Sequence, residues 1–168
     1  MPGIIIFLII AFSIVVIIKF FGPFEGKESK PPYFKKKYFL SNAEREFFNV
    51  LEEAVTNKYY IFPQVHLSNL LFIKKGEECY KYLNKINRKS VDFVILEKNY
   101  LTPLLAIELD DSSHDSESRM ERDDFVERVL KNAEIPLIRI RAKKIYNVSE
   151  ISSLIYNSIH SQEKINRK

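Results

Sequence analysis

Three carboxylates, Asp92, Glu108 and Asp110, punctuate two apolar runs that are separated by a short polar turn. The runs, 91–96 and 104–109, are rich in residues typical of buried strands, and they predict an antiparallel hairpin with its turn at 97–100. Because side chains alternate along a strand, Glu108 and Asp110 share one face. A turn centred near position 100 sets Asp92 almost opposite Glu108, with Cβ atoms about 5 Å apart.

Acids placed so close together repel one another unless a cation or a proton relieves the repulsion. A hard divalent ion, Mg²⁺ or Mn²⁺, bound through carboxylates and water, is the expected occupant of such a patch. The alternative is a solvated polar face, because a slip of one residue in register would send Asp92 to the other side of the sheet. The apolar strands favour the metal site, since unpaired acids in buried strands are costly.

The elements that must position these acids alternate between helix and strand. Ser41 and Glu44 have the spacing of a capping box, which predicts a helix start. Pro63 predicts an edge or a bulge in the strand that contains it. The predicted order gives an α/β fold, a three-layer core in which helices flank a mixed sheet. The predicted segments are helix 42–54, strand 59–67, helix 79–86, the hairpin, helix 119–132, strand 136–141 and helix 148–160.

Length and composition suit one domain plus an appendage. The 168 residues are almost half apolar, which is enough for a core, and the net charge of +4 is no nucleic-acid signature by itself. The single cysteine, Cys79, excludes an internal disulfide framework and is interpreted as an idle thiol, as is usual in a reducing compartment. The three histidines have no zinc-binding spacing.

The N-terminal segment is apolar from 4 to 18 apart from Ser13, and Lys19 follows. It predicts an uncleaved transmembrane anchor over 1–24, because no basic residue precedes it and no small-residue cleavage site follows, as a signal peptide would need. The lysines after it predict an N-terminus outside the cytoplasmic membrane, with the body in the cytoplasm. The remaining boundaries are a basic linker at 25–39, a domain at 40–160 and a polar tail at 161–168.

Several segments together resemble the restriction-endonuclease-like superfamily, whose core motif is written PD-(D/E)xK, and more closely the bacterial domain of unknown function 2726. These segments include AEREFFNVLEEA, NKINRKSVDFVI, PLLAIELDDSSHD and RMERDDFVERVLKNAEIPLIRIRA. They are also similar to very-short-patch-repair endonucleases, which have a Val-Asp-Phe strand, a Glu-x-Asp strand and a nearby histidine. The resemblance covers most of the chain from Leu40 onward and implies a restriction-endonuclease-like core.

The resemblance implies roles for individual residues. Asp92 and Glu108 match the metal-binding acids, His114 matches the histidine of the repair enzymes, and Glu44 matches a helix acid that often completes such sites. Asp110 stands where the motif usually has its lysine, so either Asp110 and His114 replace that lysine or the site is inactive. The residues alone leave two alternative roles open. Glu44 could be only a helix cap, and His114 could be only a surface histidine in a polar loop.

Basic residues flank the acids in sequence and are candidates for contacts with a phosphate backbone. Any one of these basic residues could instead be an ordinary solvated surface charge. Arg122 could also form an ion pair with the site acids. Three hypotheses follow: a membrane-anchored, metal-dependent nuclease acting on DNA more readily than RNA; an inactive nuclease-fold module that binds nucleic acid or protein; and a structural domain whose acids pair only with arginines. The candidates are Lys85, Arg88, Lys89, Arg122 and Arg139.

Overall fold

The structure, a computed structural model, describes residues 2–21, 31–110 and 117–166. The chain divides into two compact units, Met1–Lys37 and Tyr38–Lys168. The described elements are, in chain order, α1 (Pro2–Phe21), α2 (Asn42–Val55), β1 (Tyr59–His66), α3 (Leu67–Leu70), α4 (Cys79–Ile86), β2 (Ser90–Glu97), β3 (Pro103–Asp110), α5 (Glu117–Asn132), β4 (Leu137–Arg141) and α6 (Val148–Asn166).

The first unit contains α1. Its run of residues 4–18, apolar apart from Ser13, rises about 22 Å before Lys19 ends it, whereas the hydrocarbon core of a bilayer is about 30 Å thick. Across the described ranges, no helix has the length and apolar character that crossing a membrane requires. The predictions of a transmembrane anchor, of single-pass localisation in the cytoplasmic membrane and of an outward-facing N-terminus are therefore wrong.

The second unit is built on a four-stranded sheet with the order β1-β2-β3-β4. β1 pairs with β2 and β2 with β3 in antiparallel fashion, while β3 and β4 are parallel. The hairpin predicted from the apolar runs is therefore present, with each strand one residue longer at both ends. The parallel pairing follows from the crossover through α5, because this helix carries the chain back to the end of the sheet where β3 begins, so that β4 runs in the same direction.

Apolar clusters lie on both faces of the sheet. On one face, Phe93, Ile95, Leu105 and Ile107 pack with residues of α2 and α6. On the other, residues of α3, α4 and α5 pack with the opposite side chains of the sheet, which are Val91, Val94, Leu96 and Ala106. The predicted mixed sheet flanked by helices is confirmed, the added membrane span is wrong, and the restriction-endonuclease-like core stays a prediction.

The start of α2 follows its predicted capping box. The Ser41 hydroxyl accepts a hydrogen bond from the backbone N–H of Glu44 at 3.3 Å, and the Glu44 carboxylate accepts one from the backbone N–H of Ser41 at 2.7 Å.

At the other end of the chain, α6 reaches Asn166, so part of the predicted polar tail is helical. That tail contains good helix formers and no glycine or proline to end the helix.

Candidate functional site

The candidate site lies where the β2–β3 ladder ends. Phe93 pairs with Ile107 in that ladder, so the same register carried one step further sets Asp92 opposite Glu108, as the sequence predicts. The regular alternation of β2 also breaks here, because Val91 packs in the cluster of Val94 although strict alternation would put it with Phe93. This irregular end of the hairpin gives the two acids their positions.

Asp92 is half-buried and is held by the neighbouring strand. Its Oδ2 accepts a hydrogen bond of 2.8 Å from the backbone N–H of Leu109. Burial raises the pKa of Asp92, and the nearby charges of Glu44 and Asp110 raise it further, while the Leu109 N–H and the Arg122 guanidinium lower it. The raised pKa means that the ionised carboxylate is less stable here than in water.

Glu108 is buried to 7% exposure and is the one charged side chain buried to this degree among the residues described. Its Oε2 lies 3.4 Å from the Nε of Arg139, its neighbour in the parallel β3–β4 register. Burial raises the pKa of Glu108; the charge of Arg139 opposes this shift, whereas Asp123 and Asp92 add to it. The charges of Arg139 and Arg122 together therefore do not fully offset the burial of Glu108 and the acids around it.

Glu44 connects the first helix of this unit to the site. Besides capping α2, its Oε1 accepts a hydrogen bond of 2.6 Å from Nε2 of Gln64 on β1. Gln64 has a φ of 53°, in the left-handed region that non-glycine residues seldom adopt. It follows Pro63 on β1, a strand at the edge of the sheet, so the edge alternative predicted from Pro63 is confirmed, and the β1–β2 register on either side of Gln64 is unshifted. The β1–β2 ladder skips Gln64, whose side chain contacts Glu44. Glu44 therefore caps α2 and also lies close enough to Asp92 for its charge to raise the pKa of Asp92.

The third predicted acid, Asp110, is less closely involved in the site. Asp110 is exposed at the end of β3, and its charge raises the pKa of Asp92. Its backbone carbonyl accepts a hydrogen bond from Ala142 N–H at 2.8 Å, which fixes the start of the chain beyond β4. His114 lies outside the described residues.

The predicted basic residues divide into two groups. Arg122 and Arg139 lie beside the acids, and Arg139 also donates to the backbone carbonyl of Asp123 at 3.1 Å. Lys85 and Arg88 are exposed at the end of α4, and the Lys85 Nζ lies 5.8 Å from the Tyr82 ring centroid. Lys89 turns inward, donating to the Lys85 carbonyl at 2.9 Å with its Nζ 4.8 Å from the Phe125 ring centroid, so it braces α4 against α5.

The described residues contain no group of three or more His, Cys, Asp or Glu side chains that could hold a metal ion. The predicted convergence of Asp92, Glu108 and Asp110 as three direct ligands is therefore not seen. Asp92 and Glu108 remain a pair of neighbouring oxygen donors, and Mg²⁺ is often bound by one or two carboxylates with water and substrate phosphate completing its shell. The two carboxylates therefore fit Mg²⁺ or Mn²⁺ as two of its ligands, with water and phosphate as the others.

Two residues of the site are absent from the predictions. Gln64 orients Glu44, and Asp123 on α5 raises the pKa of Glu108. Pro63 carried a weak signal for an irregular strand, since proline in a strand occurs mainly at edges or bulges, but nothing in the sequence pointed to Gln64 itself. Asp123 carried none, because its role depends on how α5 packs over the sheet.

Comparison with known proteins gives a family and no function. No curated protein and no solved structure matches the chain. A family described as "Protein of unknown function (DUF2726)" matches residues 36–159, which include every described element of the site. The chain belongs to this family of proteins of unknown function.

Proposed function

We propose that the protein is a metal-dependent nuclease that hydrolyses phosphodiester bonds, with Asp92 and Glu108 as its metal-binding acids. The observation that carries the proposal is the pairing of these two carboxylates across the end of the hairpin, where the pKa of each is raised. A divalent cation bound between them would remove the repulsion and the cost of their burial. The order of the Asp and Glu strands, similar to that of restriction-endonuclease-like proteins, supports the same function.

Several further residues have a part in this proposal. The Leu109 N–H fixes the orientation of Asp92, and Gln64 fixes that of Glu44. Arg122, whose charge reaches both acids, is placed to contact a substrate phosphate. When bound, Mg²⁺ or Mn²⁺ would polarise a phosphate oxygen and lower the pKa of an attacking water. His114 is proposed as the proton donor to the leaving oxygen, since its ordinary pKa is near neutrality.

One observation favours a second function, that of a non-catalytic module which binds nucleic acid or protein. The Arg139 guanidinium already lies beside Glu108, and Asp110 takes the place where related motifs have lysine. If Arg139 keeps Glu108 from a metal ion, the acids stabilise the fold and the basic residues alone contact a ligand. Binding without cleavage is the expected behaviour of such a module.

The test is a cleavage assay on the full-length chain. Labelled single-stranded and duplex DNA and RNA are incubated with Mg²⁺ or Mn²⁺, with Asp92→Asn and Glu108→Gln as site variants and Glu46→Gln, an exposed acid on α2, as the matched control. Cleavage that both site variants abolish and the control retains supports the nuclease. Binding without cleavage in either metal refutes it and favours the second function.

A further inference from the structure

A groove of about 420 Å³ lies between α4, α5 and the segment 71–74. Ile86, Phe125 and Val129 belong to the hydrophobic cluster on this face of the sheet, so the floor of the groove is firmly packed. Phe72 and Tyr82 line its sides, and their exposed fractions are 89% and 49%. The groove thus presents two accessible aromatic rings above an apolar floor.

The rim of the groove is basic. Lys74 and Lys85 line it, and Arg88 is exposed one turn beyond Lys85. Glu78 neutralises Lys81 through an ion pair of 2.5 Å, and the other acid of this region is Glu77. Cations nevertheless outnumber acids by six to two between positions 74 and 89, where the charged residues are Lys74, Lys75, Lys81, Lys85, Arg88 and Lys89 against Glu77 and Glu78.

The groove leads to the acids along α5. Phe125, Val129 and Asn132 recur at spacings of four and three residues, so they share one face of the helix. Arg122 precedes Phe125 by three residues and continues this face by about 4.5 Å along the axis. Since Arg122 acts on the pKa values of both Asp92 and Glu108, the end of the groove and the acid pair lie within the reach of one side chain.

We propose that this groove binds an unpaired stretch of polynucleotide, with bases stacked against both Phe72 and Tyr82 and the backbone phosphates along Lys74, Lys85 and Arg88. Exposed aromatic rings beside lysines bind single strands because every base has a flat face, whereas bases in a duplex present only their edges. This inference rests on the proposed function, which gives nucleic acid as the class of ligand. The groove narrows the substrate to single-stranded or locally unpaired nucleic acid.

The test measures binding without catalysis. Full-length Asp92→Asn protein in EDTA is titrated into labelled single-stranded DNA, single-stranded RNA and blunt duplex DNA, and the fluorescence anisotropy of the label is followed. Both single strands are expected to bind at least about tenfold more tightly than the duplex. The DNA and RNA arms identify which polymer the groove prefers.

Variants locate the binding in the groove. Phe72→Ala and Tyr82→Ala are each expected to weaken single-strand binding by roughly 5- to 100-fold, while Tyr100→Ala, an exposed ring in the hairpin turn, leaves it unchanged. Lys85→Ala is expected to reduce the slope of log K against log salt by about 0.7, and Lys144→Ala, exposed outside the groove, is its control. Because Phe72 and Tyr82 are exposed, their removal leaves the core intact.

The outcomes separate this inference from the proposed function. Equal binding of single strand and duplex, or no effect of Phe72→Ala and Tyr82→Ala, overturns the inference even if the wild-type protein cleaves nucleic acid. Single-strand binding that depends on both rings supports the inference, and if the wild type then cleaves no substrate with either metal, only the proposed nuclease activity is refuted.

Discussion

Replacing Arg139 by Met leaves the buried Glu108 carboxylate without its cationic neighbour. At 3.4 Å, the attraction between the two charges is about 5 kcal/mol for an effective dielectric constant of about 20. The Arg139 side chain is 31% exposed, so water screens part of this attraction and the arginine regains solvation when the pair is broken. We expect the free energy of unfolding at pH 8 to fall by about 2 kcal/mol, somewhat less than for a fully buried pair.

The loss should depend on pH in one direction. Burial already raises the pKa of Glu108, and removing the Arg139 charge that opposes this shift raises it further. A raised pKa in the folded state penalises folding once the carboxyl ionises, so the penalty is fully present above the folded pKa and disappears as the pH falls toward the ordinary value near 4.3. The difference between wild type and Arg139→Met should therefore shrink from pH 8 to pH 5.

Urea denaturation of three variants tests this reasoning. Arg141→Met, an exposed arginine two residues along the same strand, is expected to change stability by less than about 0.5 kcal/mol. Glu108→Gln combined with Arg139→Met should recover most of the loss, because no buried charge remains; the unrecovered part reflects the Arg139 bond to the Asp123 carbonyl and the 3.8 Å ion pair of Arg139 with the exposed Glu127. If Arg139→Met is as stable as Arg141→Met, or the double variant is no more stable than the single one, Arg139 does not hold Glu108.

Three further variants probe the site and its support. Asp92→Asn should abolish any cleavage yet raise the free energy of unfolding at pH 8, because the raised pKa of Asp92 marks a penalty for its ionised form in the folded state. This gain in stability should vanish near pH 4, where the carboxyl is protonated. A loss of stability at pH 8 in urea denaturation would contradict this reasoning. Glu44→Ala should cost about 1 kcal/mol through the broken capping box, compared by thermal denaturation with Glu46→Ala, and equal melting temperatures would refute the cap. Phe93→Ala should cost about 3–5 kcal/mol because its buried ring packs between those of Phe47 and Phe48, whereas Tyr100→Ala, at an exposed ring, should cost little by the same denaturation assay.

The hairpin could be predicted because its information is local. Two apolar runs separated by a polar turn fix the register to within one residue, and the burial of Phe93 and Ile107 leaves no competing register. The capping box of Ser41 and Glu44 is likewise a pattern of four consecutive residues. Such features depend on neighbours in sequence and require no knowledge of the tertiary fold.

The rest of the site depends on contacts between distant segments. The sequence offers Lys89 as a phosphate ligand, yet it folds against Phe125, which lies in a different element. Arg139 could equally contact phosphate or Glu108, and only the parallel register of β3 and β4 places the two side by side. The apolar run of α1 suggested a membrane anchor, but hydrophobicity over a limited length does not determine what surrounds a helix.

The interruption of β1 at Pro63 and Gln64 also protects the molecule during folding. β1 ends the sheet, and its sequence YYIFPQVH is rich in the aromatic and β-branched residues that promote intermolecular strand pairing. Proline has no N–H to offer another chain, and Gln64 beside it has a left-handed backbone conformation that departs from a regular strand edge. The same two residues that turn an amide toward Glu44 thus discourage aggregation at this edge, so replacing Pro63 to regularise the strand would expose a template for aggregation.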